Sequence, residues 1–138
     1  VERTGAPIQS FARIDDKKII TREQIYQPTV LIIQDPTLLS VPEIFVGTNE
    51  DTKIIINSST ARKIKSETKH IYFSPATEIA LEIFGKNIVN TVILGTFAKK
   101  TGLISLGSLK KVIQEKFKDK GQDIIKKNIK AVERAYEK

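Results

Sequence analysis

The chain has 138 residues, 40% of them hydrophobic, no cysteine, and a formal charge of +7 from 23 Lys and Arg against 16 Asp and Glu. That length suits one domain burying roughly two thirds of the surface its unfolded form would expose, and the missing cysteine excludes disulfides, thiolate nucleophiles and an iron–sulfur cluster held by this chain. No apolar run approaches the roughly 20 residues of a membrane helix, and the cation excess favours acidic partners: nucleic acid, anionic cofactors or an acidic protein.

Taken from the start, Arg3-Thr4-Gly5-Ala6-Pro7 is a polar, glycine- and proline-bearing loop, of a kind whose backbone N–H groups can approach an anion. No secretory signal opens the chain, so a soluble, cytoplasmic protein is expected. Residues 8–14 alternate, with Ile8, Ala12 and Ile14 on one face and Gln9, Phe11 and Arg13 on the other. Asp15-Asp16-Lys17-Lys18 then turns the chain into Ile19-Ile20, which predicts an antiparallel hairpin. Val30–Ile33 is an unbroken aliphatic run, too short for a helix and without polar alternation, and so reads as a strand covered on both faces. Asp35-Pro36 closes it with capping chemistry and a proline suited to the first helical position.

Residues 42–46 predict a short strand or extended link, and residues 47–51 a loop. Ile54-Ile55-Ile56 repeats the buried-strand pattern and ends in Asn57-Ser58-Ser59; Ile71-Tyr72-Phe73 does so again and ends in Ser74-Pro75. Ligands of open parallel sheets collect beyond the carboxyl ends of the strands, which nominates Gln34, Asp35, Asn57, Ser58 and Ser74 as a polar rim. Capping of following helices accounts for the same residues without a ligand.

Helices are predicted over residues 76–84, stopped by Gly85, and over 87–100, apolar around most of its girth and therefore buried. In the second, Asn90 and Thr91 interrupt the apolar coat, so Asn90 is expected to be buried and to need a partner or a ligand, while Gly95 lets another backbone approach. Ser105 caps a third helix with Leu106, Leu109, Val112, Ile113 and Phe117 lining one face, and a fourth follows Gly121 with Ile125, Ile129, Val132 and Tyr136 inward. The lysines of the last third read as the solvated face of these two helices. The fold class is α/β: a three-layer α/β/α sandwich with a mixed, partly parallel sheet, an antiparallel hairpin near the N-terminus and a helical C-terminal third.

Little of this is catalytic. His70 is the sole histidine and there is no cysteine, so neither a transition-metal site nor a Ser-His triad with a clear partner is expected. No G-x-G-x-x-G or P-loop occurs, and almost no aromatic residues interleave the basic helices as single-strand nucleic-acid binding requires.

Three segments in order carry a resemblance: Glu2-Arg3-Thr4-Gly5-Ala6-Pro7 with Phe11-Ala12-Arg13-Ile14; Gln24-Ile25-Tyr26 through Gln34-Asp35-Pro36-Thr37-Leu38-Leu39; and Asn87-Ile88-Val89-Asn90-Thr91-Val92-Ile93-Leu94-Gly95 through Ser105-Leu106. Together with the pattern over 117–136 they resemble the gamma subunit of pyruvate:ferredoxin oxidoreductase and its 2-oxoacid relatives. The resemblance implies a single gamma-type domain over residues 1–138, in a complex that converts a 2-oxoacid and coenzyme A to acyl-CoA and carbon dioxide and reduces ferredoxin. It implies alpha, beta and delta type partner subunits, which hold the thiamine diphosphate and the iron–sulfur clusters. This chain would be non-catalytic, with Arg3, Thr4 and Gly5 and the pair Asn90-Thr91 bordering the coenzyme A channel. Members of the family normally begin with a strand and a glycine-rich loop some tens of residues before Arg3, and these are expected to be missing here. Gly107 is a second departure, since a glutamate there would strengthen the following first turn. The alternatives are a basic adaptor binding nucleic acid through the terminal helices, which those sparse aromatics disfavour, and a module whose only task is subunit packing.

Overall fold

The structure, a computed structural model, describes residues 7–138. Three strands, β1 (Val30–Ile33), β2 (Lys53–Asn57) and β3 (Ile71–Ser74), form a parallel sheet in the order β1-β2-β3. Ile32 pairs with Ile55 and Ile55 with Tyr72; one step on, Ile33 pairs with Ile56 and Ile56 with Phe73. Because side chains alternate along a strand, this register sorts the aliphatic runs onto two faces. Ile54, Ile55 and Ile56 are all 0% exposed, each contributing on the order of 2–3 kcal/mol relative to exposure. A continuous isoleucine run is what a strand covered on both sides requires.

Four helices follow: α1 (Ala76–Phe84), α2 (Ile93–Thr101), α3 (Leu106–Lys116) and α4 (Gln122–Glu137). One sheet face, with Ile55 at its centre, packs on Ala76, Ile79 and Ala80 of α1, Val92, Ile93 and Phe97 at α2, and Ala131 and Ala135 of α4. Helix α3 lies outboard, its Leu109 and Ile113 against Val132. The opposite face, built on Ile33, Ile54 and Ile56, is covered by Leu38, Leu39, Ile44, Phe45 and Ile64. These side chains come from two 3-10 turns, Pro36–Ser40 and Pro42–Phe45, and from the irregular connection between β2 and β3. The α/β class and the helical C-terminal third hold, and the third layer consists of turns and irregular chain where α-helices were expected.

Three expectations are corrected. The N-terminal hairpin does not form: residues 7–29 contain no strand, and the sheet is purely parallel, not mixed. Alternation alone cannot hold a ladder, since a two-stranded hairpin without cover is marginal in water. The two limbs touch through the Arg13 guanidinium, which donates to the carbonyls of Glu23 and Gln24 at 3.2 Å each. Pro42–Phe45 is a 3-10 turn with Pro42 at its start, not a strand, and only Val46 after it is extended. Helix α2 begins at Ile93, not at Asn87. Ahead of it stand Ile88, Val89, Thr91 and Val92, β-branched residues of low helix propensity, and Asn90 bonds its own neighbouring backbone.

Candidate functional site at the carboxyl edge of the sheet

The three strands end side by side, bringing Gln34, Asn57, Ser58 and Ser74 to one edge as the sequence predicts. Asn57, 4% exposed, spends its amide on the frame. Its Nδ2 donates to the Gln34 carbonyl at 2.9 Å and to Thr77 Oγ1 at 2.9 Å, and its Oδ1 accepts the Thr77 N–H at 3.2 Å. The network runs on from Thr77 Oγ1 to Asn87 Oδ1 at 3.2 Å, mooring the connection between α1 and α2 to the sheet edge. Ser58 Oγ donates to the Thr60 carbonyl at 2.8 Å and accepts from the Thr60 N–H at 3.3 Å and Arg62 Nε at 3.2 Å.

Ser74 is completely buried, and its Oγ lies 2.7 Å from Thr96 Oγ1. Thr96 donates its one hydroxyl hydrogen to the Ala135 carbonyl at 3.2 Å, so Ser74 is the donor of the pair. This relay ties β3, α2 and α4 together where a ligand-facing rim or a helix cap was expected; α1 starts after Pro75 with no side-chain cap. Asp35 does cap: its Oδ1 accepts from the Thr37 N–H at 3.0 Å and Thr37 Oγ1 at 2.7 Å. The hydroxyl bond first, and the backbone bond with it, holds the Asp35 carboxyl below its ordinary value. Of the five rim residues, three are consumed inside the molecule, and only Gln34 and Asp35 are exposed.

Asn90 is exposed, not buried as expected, and Thr91 is half-buried. Asn90 Oδ1 accepts the Thr91 N–H at 2.9 Å, while among the described residues nothing accepts from its NH2. The pair occupies the moored connection ahead of α2, three residues beyond Asn87. Arg3, Thr4 and Gly5 lie outside the described residues. Sequence reasoning missed Thr77 and Thr96, the hydroxyls that complete both networks; Thr96, polar between Gly95 and Phe97 on an otherwise apolar face, was the available signal.

At the amino ends of the strands, Thr29, Val30, Asp51, Lys53, Thr101 and Leu103 line a shallow cleft of about 270 Å³. Its lysine is committed, Lys53 Nζ donating to the Lys100 carbonyl at 3.1 Å, where it complements the C-terminal end of α2. The basic helices are partly neutralised by Lys110–Glu133 at 2.8 Å, Lys127–Asp123 at 3.2 Å and Arg134–Glu82 at 2.6 Å. His70 is an exposed strand-end residue, its N–H donated to Thr68 Oγ1 at 3.0 Å.

These features define an open parallel α/β domain whose strand-end polar groups mostly hold it together, leaving free hydrogen-bonding chemistry at the exposed Gln34 side chain and the Asn90 amide among the described residues. The chain belongs to the pyruvate ferredoxin/flavodoxin oxidoreductase family, whose model matches residues 1–138. It is 46% identical over 138 residues to pyruvate synthase subunit PorC of Methanothermobacter marburgensis, covering 100% of this chain and 75% of that one. It is 39% identical over 143 residues to the pyruvate/ketoisovalerate oxidoreductases common subunit gamma of Pyrococcus furiosus, covering 100% of this chain and 76% of the relative. The crystal structure of pyruvate oxidoreductase subunit PORC from Thermotoga maritima is similar at a TM-score of 0.75 and 33% identity, over 83% of this chain and 65% of that one. The family read from the three ordered segments is therefore the right one.

Proposed function

We propose that residues 1–138 act as a single gamma-type domain in a cytoplasmic 2-oxoacid:ferredoxin oxidoreductase, with pyruvate as the substrate class. Its task is to pack on the catalytic subunits and to border the coenzyme A that receives the acyl group. The observation that carries this reading is the match along the entire chain to proteins named as pyruvate synthase and pyruvate/ketoisovalerate oxidoreductase subunits. A chain with no cysteine cannot supply the thiolates of an iron–sulfur cluster. In this reading those clusters and thiamine diphosphate sit in alpha, beta and delta type partners, and ferredoxin takes the electrons.

Within that assembly, Asn90 and Thr91, together with Arg3, Thr4 and Gly5, line the coenzyme A channel. Support comes from the exposed Asn90 amide on a moored loop, a donor the fold itself does not use. Co-purification of the native subunit with catalytic chains tests the assembly. In that complex, Asn90→Ala removes one neutral hydrogen bond worth roughly 1 kcal/mol, or about fivefold in KM for coenzyme A with kcat held. The Arg3→Ala, Asn90→Ala double variant loses more. Unchanged KM in the double variant takes these residues out of the site.

A further inference from the structure

The connection that leaves the carboxyl end of β2 carries cations that the packing of the fold does not use. Ser58, 8% exposed, organises its first turn: the hydroxyl bonds both the carbonyl and the N–H of Thr60 and accepts from Arg62 Nε at 3.2 Å. Ile64 packs on the sheet face built from Ile33, Ile54 and Ile56, while Arg62, Lys63 and Lys65 are exposed. No acid stands between Ser58 and Ser66, and among the described residues no ion pair involves these three cations. Asp35, at the same edge, is committed to Thr37. Arg134 spends its guanidinium on Glu82. Arg62 differs: its Nε–H is held by a neutral hydroxyl, so its charge is uncompensated, and among the described residues nothing accepts from its two terminal NH2 groups.

We propose that Arg62, steadied by Ser58, binds a phosphate of the nucleotide end of coenzyme A, with Lys63 and Lys65 adding charge around it. The inference deepens the coenzyme A reading above and rests on it. A guanidinium fork matches phosphate oxygens with two parallel N–H bonds, which an ammonium cannot reproduce, and holding Nε fixes the direction in which the fork points. Ligands of open parallel sheets gather beyond the carboxyl ends of the strands, and Ser58 directly follows the last residue of β2 there. Side chains alternate along the chain at that point. Asn57 reaches Thr77 and, through it, Asn87 on the helical side; Ser58 and the connection it holds lie toward the opposite cover, where Ile64 packs. In this arrangement one extended ligand lies across the edge, its thiol end at Asn90 and Thr91 and its phosphates at Arg62. Three cations with no acid among them suit a group of several negative charges better than a single carboxylate.

Steady-state kinetics of the native complex test this, with adenosine 3′,5′-bisphosphate, a fragment of the nucleotide end of coenzyme A, as a competing probe. Arg62→Gln should raise KM for coenzyme A and Ki for the bisphosphate together, each by roughly tenfold. The kcat and the unfolding midpoint of the subunit should stay unchanged, and Arg62→Lys should recover only part of the loss. Lys126→Gln, which removes an exposed cation from α4, should leave both constants alone. A rise in KM without a rise in Ki overturns the inference, because Arg62 then does not hold the nucleotide end. So does a bisphosphate that fails to compete in the unaltered complex, or a Lys126→Gln effect as large as that of Arg62→Gln, which would reduce the contact to net charge. If Arg62→Gln changes nothing while the Arg3→Ala, Asn90→Ala double variant raises KM, this inference falls alone. If neither raises KM, the coenzyme A reading falls with it.

Discussion

Asp35 and Asn57, neighbours at the same edge, carry different kinds of stability. Asp35 is exposed and accepts two hydrogen bonds from Thr37 that favour its charged form. With the folded pKa below the ordinary value of the carboxyl, its stabilisation is present above the unfolded pKa and is lost as pH falls through the folded one. Solvent screens the site and keeps the effect small. Asp35→Asn should therefore change stability little near neutrality and flatten the loss of stability below about pH 4, as read from denaturant midpoints against pH. Asn57 is buried and neutral, and its contribution is independent of pH. Asn57→Ala removes three hydrogen bonds joining β1, β2 and α1. It should cost about 2–3 kcal/mol in urea unfolding at every pH where the protein folds; a loss under about 0.5 kcal/mol would mean that water replaces the amide at no penalty.

Among the elements, the crossing of α2 and α4 is the tightest junction. A Cβ added at Gly95 would fall 2.2 Å from the Val132 carbonyl oxygen and 2.9 Å from Ala135 Cβ, so the two backbones touch there with no room for a methyl group. The Thr96 bond to Ala135 and the Lys99 ammonium, 5.0 Å from the centre of the Tyr136 ring, fix the same crossing. Gly95→Ala improves helix propensity yet must push the helices apart, and should destabilise by about 1–3 kcal/mol. Gly107→Ala is the contrast: its nearest neighbour is Ser105 Oγ at 3.9 Å, so the methyl finds space and should stabilise by roughly 0.4–1 kcal/mol. Opposite signs in thermal unfolding check both. The sequence made Gly95 legible as a close approach because it interrupts a helix apolar all round. It made β1 and α1 legible to the residue, because aliphatic runs and a glycine stop are local signals. The irregular course of residues 7–29, the start of α2 and the role of Ser74 were not legible. Whether a strand finds a partner, where a β-branched stretch enters a helix, and which hydroxyl meets Thr96 across the core are decided by tertiary neighbours.

For the whole molecule, the sheet divides two unequal covers: helices on the Ile55 side, 3-10 turns and irregular chain on the Ile33 and Ile56 side. The helices keep their backbone bonds internally, whereas residues 7–27 and 59–67 present mostly exposed irregular chain to solvent. Exposed basic residues occur in both kinds of structure: Lys17, Lys18, Arg22, Arg62, Lys63 and Lys65 on irregular chain, Lys111, Lys116, Lys126, Lys127 and Lys130 on helices. A protease needs several residues in extended form, so the helical sites require prior unfolding and the irregular ones do not. Limited trypsin treatment of the isolated subunit should therefore cut first within residues 17–22 and 62–65 and later in α3 and α4, although lysines are densest there. The nicked product should retain its helical circular dichroism, because the cluster around Ile55 draws its cover from α1, α2 and α4 and not from the cut segments. First cuts inside α4, read by mass, would show that the helical cover opens before the turns do, and would place the weakest cooperative unit on the opposite side of the sheet.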